Sequence, residues 1–269
     1  MEIYAMGKII LYVLVIIFSN TIGAISGMGG GVIIKPVLDA LSNEPLVAIN
    51  FYSSLAVFVM SIVSTLKNAR KETIDINWIE ILYLSIGSLF GGKLGDWLFM
   101  TLASVIKNDS KVNLIQIIIV VISLILALFY SKKSGLQFDS KKRAVLFLLS
   151  GVFLGTLSTF LGIGGGPINV ALLIFLFNFD AKKSAVYSIA SIFFSQFMKL
   201  ASMTPKLSSL PLDLKLVPFI IVSAILGGYI GSTISGTVSN KFVLKLYRIV
   251  VIFVIGLNIY NGLVILNIL

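Results

Sequence analysis

The chain has no cysteine and no histidine among its 269 residues. Without cysteine there are no disulfides, no thiol chemistry and no thiolate ligands for zinc or iron–sulfur clusters. Without histidine there is no imidazole for acid–base catalysis near neutral pH, nor for metal binding. Several enzyme classes go with them, and neither a metal, a cofactor nor a catalytic residue is expected. Charge is scarce too: 12% of residues are charged, about half of what a soluble domain carries. No P-loop Lys-Ser/Thr motif for ATP is present.

What fills the chain instead is apolar: 58% of residues are hydrophobic and the mean hydropathy is +1.05. Apolar runs recur at 9–26, 30–42, 46–66, 78–100, 112–130, 144–161, 167–178, 184–204, 214–236 and 243–266. About 20 residues cross the hydrocarbon core as a helix. The fold class expected is therefore an all-α polytopic membrane protein. The runs 30–42 and 167–178 are only about a dozen residues long, better suited to half-helices or re-entrant segments than to full spans. The net charge of +10 sits mostly in short connectors, where it sets orientation in the bilayer rather than binding nucleic acid. The first run resembles a signal peptide in having Lys8 before it and small residues at its end, but the repeat described next argues against cleavage.

One stretch occurs twice. Gly27-Met28-Gly29-Gly30-Gly31 ends one apolar run and opens another, as does Gly162-Ile163-Gly164-Gly165-Gly166. Adding 135 carries Gly27 to Gly162, Gly29 to Gly164, Gly31 to Gly166, Tyr52-Ser53 to Tyr187-Ser188 and Phe58 to Phe193. A shift of 136 carries Gly92 to Gly228 and Gly95 to Gly231. The chain thus reads as a duplication: a first transmembrane repeat over 1–130, a linker over 131–143, and a second repeat over 144–269.

Lys132, Lys133, Lys141, Lys142 and Arg143 face a single Asp139 in the linker, which places it in the cytoplasm. Each half has five runs, an odd number, so the halves are inverted relative to each other and both termini lie outside. Connectors on the linker's side carry Lys67, Arg70, Lys71, Lys182, Lys183 and Lys241; the other side keeps Lys8, Lys107, Lys111 and Lys206. Two full spans or a re-entrant hairpin at the start of each half give the same parity.

Inverted repeats with interrupted helices describe secondary transporters, whose sites lie near the midplane between repeats. A helix that begins inside the membrane offers free N–H groups and a positive dipole end, which favour an anion. Glycine lets a ligand approach that backbone without a Cβ in the way. The candidate site is therefore Gly29, Gly30 and Gly31 with Gly164, Gly165 and Gly166. The plainer alternative is tight helix crossing, which small residues also permit; the duplication favours a site.

Ser26, Ser53, Ser188, Asn169 and Gln196 are the neutral polar candidates beside the glycines, with Ser54 and Ser191 on the same runs. A lone serine commonly bonds its own helix backbone, whereas an amide in an apolar run needs a partner, so Asn169 and Gln196 stand out. Among charges, Lys35 either neutralises substrate or reaches an interface, Lys199 is expected to extend to the outer interface, Lys93 and Asp96 to pair on one helix face, and Asp39 and Glu44 to mark a solvent-facing helix end.

At these motifs the chain resembles the sulfite exporter TauE/SafE family. The resemblance rests on the two glycine clusters, Pro36 after the first, and the glycine-rich segments Gly91-Gly92-Lys93-Leu94-Gly95 and Gly227-Gly228-Tyr229-Ile230-Gly231. The second copy departs from the usual pattern, with Pro167 early and Ala171 in the place of Pro36. What the resemblance implies is export, or in some members uptake, of small sulfur-containing anions such as sulfite, sulfonates or sulfate, by a protein of the cell membrane. An inside-negative potential favours anion exit by about 2.3 kcal/mol per charge per 100 mV, so export needs no other energy source. The alternatives are an anion channel or a carrier for a carboxylate or other small solute, and, from another class, a membrane enzyme or assembly factor. Expected partners are a small anion and the lipid bilayer, with a homodimer as an option for assembly and no nucleic acid.

Overall fold

A computed structural model describes residues 2–69, 76–131 and 140–268. Among the described residues the fold consists of ten α-helices and two short 3₁₀ turns, with no strand. The helices are α1 (Glu2–Ser26), α2 (Gly31–Leu41), α3 (Leu46–Ala69), α4 (Trp78–Ile106), α5 (Asp109–Tyr130), α6 (Ser140–Phe160), α7 (Pro167–Phe177), α8 (Ala181–Met203), α9 (Val217–Thr237) and α10 (Asn240–Ile265). Seven stretches among the described residues are long and apolar enough to cross a membrane, and the chain is a multi-pass membrane protein. Most of the linker, with Lys132, Lys133 and Asp139, lies outside the described residues, as do Arg70 and Lys71.

Polar residues between the runs start the helices. Asn77 Oδ1 accepts the Ile79 and Glu80 amides, Asn108 Oδ1 the Lys111 amide, Asp180 Oδ1 the Lys183 amide and Ser239 Oγ the Phe242 amide. Each cap satisfies an N–H that has no partner within its own helix. Large apolar side chains such as Phe90, Trp97, Phe129 and Phe253 face outward, where lipid replaces water and exposure carries no penalty.

The short helices are the returning arms of hairpins. Lys8, near the start of α1, pairs with Glu44 just beyond α2 at 2.5 Å, and Tyr12 lies edge-on to Tyr52 with centroids 5.7 Å apart. In the second half, Phe147 of α6 stacks on Phe177 at the end of α7. The two hairpins enter from opposite ends of the bundle. Leu46 and Asp109 meet at the end that holds Lys8, Glu44 and Asp213, while Arg143 meets Glu80 at the other.

Contacts between the halves are reciprocal. Helix α4 packs on α6 and α8, and α9 packs on α1 and α3. A Cβ at Gly91 would collide with the Val152 carbonyl and one at Gly227 with that of Ile17; 17 plus 135 is 152. Gly95 meets the Thr156 carbonyl and Gly231 that of Thr21, again 135 apart. Gly92 meets Ser195 and Gly228 meets Met60, also 135 apart. At these crossings backbone touches backbone, which only glycine permits.

Candidate functional site

The turns 27–30 and 162–166, at the tips of the two hairpins, touch each other inside the bundle. A Cβ at Gly29 would lie 3.0 Å from the Gly164 carbonyl oxygen, one at Gly165 3.4 Å from that of Met28, and one at Gly31 would fall on that of Ile163. Gly27, Gly29, Gly162, Gly164, Gly165 and Gly166 have φ of 76°, 75°, 69°, 66°, 120° and 145°, a region other residues enter at a cost.

Helices α3 and α8 wall the turns. Val57 abuts Gly29 and Gly164, and its counterpart Ile192 (57 + 135) abuts Gly29 and Gly165. Ala185 of α8 lies under Gly27, and Asn50 of α3, 135 residues earlier, lies under Gly162. Asn20 of α1 lies under Gly30 and donates to the Ala56 carbonyl at 3.2 Å. Helices α2 and α7 thus both begin at the centre, capped by Gly30 and Gly166 with no side-chain cap and no acidic residue in α2's or α7's first turn.

The predicted polar residues divide. Ser188 donates to the Gly27 carbonyl at 2.6 Å, joining α8 to the first turn. Gln196 donates to Ser158 Oγ at 3.0 Å. Ser53, beside Gly31, and Asn169, in the first turn of α7, are buried with no hydrogen-bond partner for their side-chain polar atoms. Asn50 is in the same condition, and Gln196 retains a bare Oε1. A buried polar group left unmet costs about 1–3 kcal/mol, and four such side chains lie on the helices around the two uncapped helix starts. Ser26 instead bonds the Ile22 carbonyl of its own helix at 2.7 Å.

The charges depart from expectation. Lys35 is turned from the turns: its ammonium meets Asp39 Oδ2 at 2.8 Å and Asn113 Oδ1 at 2.9 Å. Asp39 is consequently a buried ion-pair member, not a solvent-facing helix end, whereas Glu44 is partly exposed beside Lys8. Lys199 does not reach an interface: it is fully buried and donates to the Thr159 carbonyl at 3.1 Å. Lys93 is exposed while Asp96 is buried and acts electrostatically on Lys199. Sequence reasoning missed Asn20, Asn50 and Ser158. The test that found Asn169, an amide inside an apolar run, identifies Asn20 and Asn50 as well.

Both ends of the bundle are latched. At one, Lys8 pairs with Glu44 and, at 3.3 Å, with Asp213, whose amide donates to the Tyr52 hydroxyl at 2.6 Å. At the other, Arg143 pairs with Glu80 at 2.7 Å, and the Asn77 amide donates to the Tyr187 hydroxyl at 3.0 Å. Lys8 and Arg143 are 135 apart, as are Tyr52 and Tyr187, and Asn77 and Asp213 are 136 apart. A crevice of about 520 Å³ opens beside Lys8, Tyr12 and Glu44 at the mouth of the first hairpin.

A family profile described as Sulfite exporter TauE/SafE matches residues 12–259. The chain is also similar to "Probable membrane transporter protein YunE" of Bacillus subtilis (strain 168), at 28% identity over 289 aligned positions, covering 96% of this chain and 99% of that protein. No solved structure matches the chain.

Proposed function

The chain belongs to the sulfite exporter TauE/SafE family, and from that premise we propose that it is a secondary transporter exporting a small sulfur-containing anion by alternating access. The observation that carries this reading is the meeting of two uncapped helix starts with Ser53, Asn50 and Asn169, buried and unbonded, around them. Free amides and neutral donors suit the oxygens of a sulfite or sulfate, because they supply hydrogen bonds and a positive dipole end without a fixed ion pair. Ser188 holds the first turn in place through the Gly27 carbonyl, and Gln196 holds Ser158, four residues before the second.

In the same reading the halves are inverted repeats, a relation supported by the reciprocal glycine–carbonyl crossings and by hairpins that enter from opposite ends. The Lys8 and Arg143 latches then open in turn, each exposing the common centre to one side. The excess of lysine and arginine on the Arg143 side orients that side to the cytoplasm, with both termini outside and the chain in the cell membrane.

Anion flux into proteoliposomes tests the reading. Sulfite, sulfate, thiosulfate and taurine are the substrates to offer. Saturable flux of at least one is expected, with loss in both Gly30→Leu and Gly165→Leu. Unaltered flux in both variants overturns the site.

A further inference from the structure

Each glycine turn joins the end of one helix to the start of another, so it presents carbonyls as well as amides. Three turn amides are already used: Gly29 donates to the Gly23 carbonyl at 3.4 Å, Gly162 to that of Thr159 at 3.2 Å and Gly164 to that of Ser158 at 3.4 Å. The carbonyls of Met28, Ile163 and Gly164 accept no hydrogen bond among the described residues, and all three residues are buried. Buried backbone carbonyls are mostly paired. Three bare ones in adjoining turns ask for a partner that the described chain does not supply.

These oxygens face across the contact between the halves. Met28 and Ile163 are counterparts, 135 apart in sequence. The Met28 oxygen lies 3.4 Å from where a Cβ on Gly165 would be, and the Ile163 oxygen 2.1 Å from where one on Gly31 would be. The Gly164 oxygen lies 3.0 Å from the same point on Gly29. Ser53 Oγ is 2.9 Å from the Gly31 point that Ile163 approaches, and it too is buried without a partner. Its counterpart Ser188 is committed, donating to the Gly27 carbonyl. One free hydroxyl and three free carbonyls, drawn from both halves, thus line the meeting of the turns.

Carbonyl oxygens repel an anion and attract a cation, and unwound backbone between half-helices is a recurrent alkali-cation ligand in transporters. Neither nearby ammonium meets these carbonyls. Lys35 is held by Asp39 and Asn113, and Lys199 donates to the Thr159 carbonyl at the end of α6. The side chains that abut the turns include Asn20, Asn50, Ser53, Val57, Ala185 and Ile192, with no carboxylate among them. Divalent ions draw on carboxylates to offset their charge, so neutral oxygens alone suit a monovalent ion. Backbone ligands leave no mark in composition, so the lack of cysteine and histidine does not bear on such a site.

We propose that the meeting of the two glycine turns binds a monovalent alkali cation, through the Met28, Ile163 and Gly164 carbonyls and the Ser53 hydroxyl. These protein oxygens leave part of the cation's shell open, and the oxygens of an anion at the helix starts complete it. Each ion then offsets the other's charge in a site walled by Val57 and Ile192. By linkage, anion and cation each tighten the other's binding. A divalent anion leaving with one such cation still carries net negative charge outward, so the potential continues to favour exit. The anion half of this inference rests on the function proposed above; the cation half does not.

Two measurements on the whole protein separate them. The first is thermal unfolding in sodium, potassium and N-methyl-D-glucamine chloride at equal concentration, the organic cation being too large for the site. At saturation the better of the two alkali salts is expected to raise Tm by about 4–8 °C over the organic salt. In Ser53→Ala the midpoint of that rise should move to about tenfold higher salt. Ser202→Ala, whose lost hydroxyl bonds the Met198 carbonyl of its own helix, should keep the wild-type midpoint. Equal Tm in all three salts overturns the cation site, as does a wild-type midpoint in Ser53→Ala. Ser53→Cys, which keeps the shape but offers a soft sulfur that alkali ions bind poorly, serves if Ser53→Ala does not fold. The second is calorimetry of sulfate binding with an alkali ion or N-methyl-D-glucamine as the counter-ion. Affinity about tenfold higher with the alkali ion is expected. Sulfate affinity indifferent to the cation overturns the coupling. A cation-dependent Tm in a protein that binds neither sulfate, sulfite nor thiosulfate upholds the cation site and overturns the anion reading instead.

Discussion

The two glycine turns occupy equivalent places and are built differently. The first has two left-handed glycines, Gly27 and Gly29, and then enters α2 through Gly30 at a helical φ of −70°. The second keeps four, with Gly165 and Gly166 at φ of 120° and 145°, and only then begins α7 at Pro167. The proline accounts for the extra unwinding, since it bars the residue before it from the helical region. The first turn rests on Asn20, which donates one hydrogen bond and keeps a bare Oδ1; the second rests on Asn50, which makes none. A shared outline with unequal chemistry separates the turns: the asparagine under the first is anchored by one bond, the asparagine under the second by none.

Substitutions at equivalent places sharpen that contrast. The largest effect is expected at the turns themselves. Gly30→Ala collides mainly with the Asn20 side chain, without backbone strain. Gly165→Ala adds strain of about 1–3 kcal/mol to a collision with Ile192. Flux should fall about a hundredfold in each, and Asn20→Ala should partly restore Gly30→Ala while Ile192→Ala leaves Gly165→Ala inactive. Equal rescue would erase the distinction between the turns.

The supporting asparagines come next. Asn20→Leu loses the bond to the Ala56 carbonyl and should cost about 1 kcal/mol, read as a fall in Tm of roughly 2–4 °C. Asn50→Leu removes no bond; its Tm should hold, while anion affinity weakens by about tenfold. A destabilised Asn50→Leu with unchanged affinity would make Asn50 a packing residue. The smallest effect is expected from a pair of serines. Ser188→Ala breaks the bond to Gly27 and should cost about 1 kcal/mol, whereas Ser26→Ala, bonded to its own helix, should stay within about 0.5 kcal/mol in thermal unfolding.

All ten helices were legible as apolar runs, because in a bilayer the backbone must satisfy itself and an apolar stretch has little choice but a helix. The glycine turns were legible because they occur twice. Hairpin or span was not, since length bounds both readings; the Lys8–Glu44 pair decides it, and that pair joins residues far apart in sequence. The fate of Lys199 was not legible either. A helix apolar on every side does not announce which face meets lipid and which meets protein, so a lysine near its end reads as reaching water when it is in fact enclosed. Lys35 misled for a similar reason: its partners Asp39 and Asn113 pull it along the helix away from the glycines beside it in sequence.

Phe58 and Phe193, 135 apart in sequence, stack on each other with centroids 5.5 Å apart and planes 14° from parallel. On the inverted-repeat reading proposed above, a residue faces its own counterpart only where the operation relating the halves leaves a point unmoved. Such a contact is self-complementary, like the centre of a symmetric dimer interface. A half-length chain pairing with a copy of itself would make it with one aromatic residue chosen once. The join between two fused copies would then have needed no new complementarity at its middle, leaving the turns around it free to diverge.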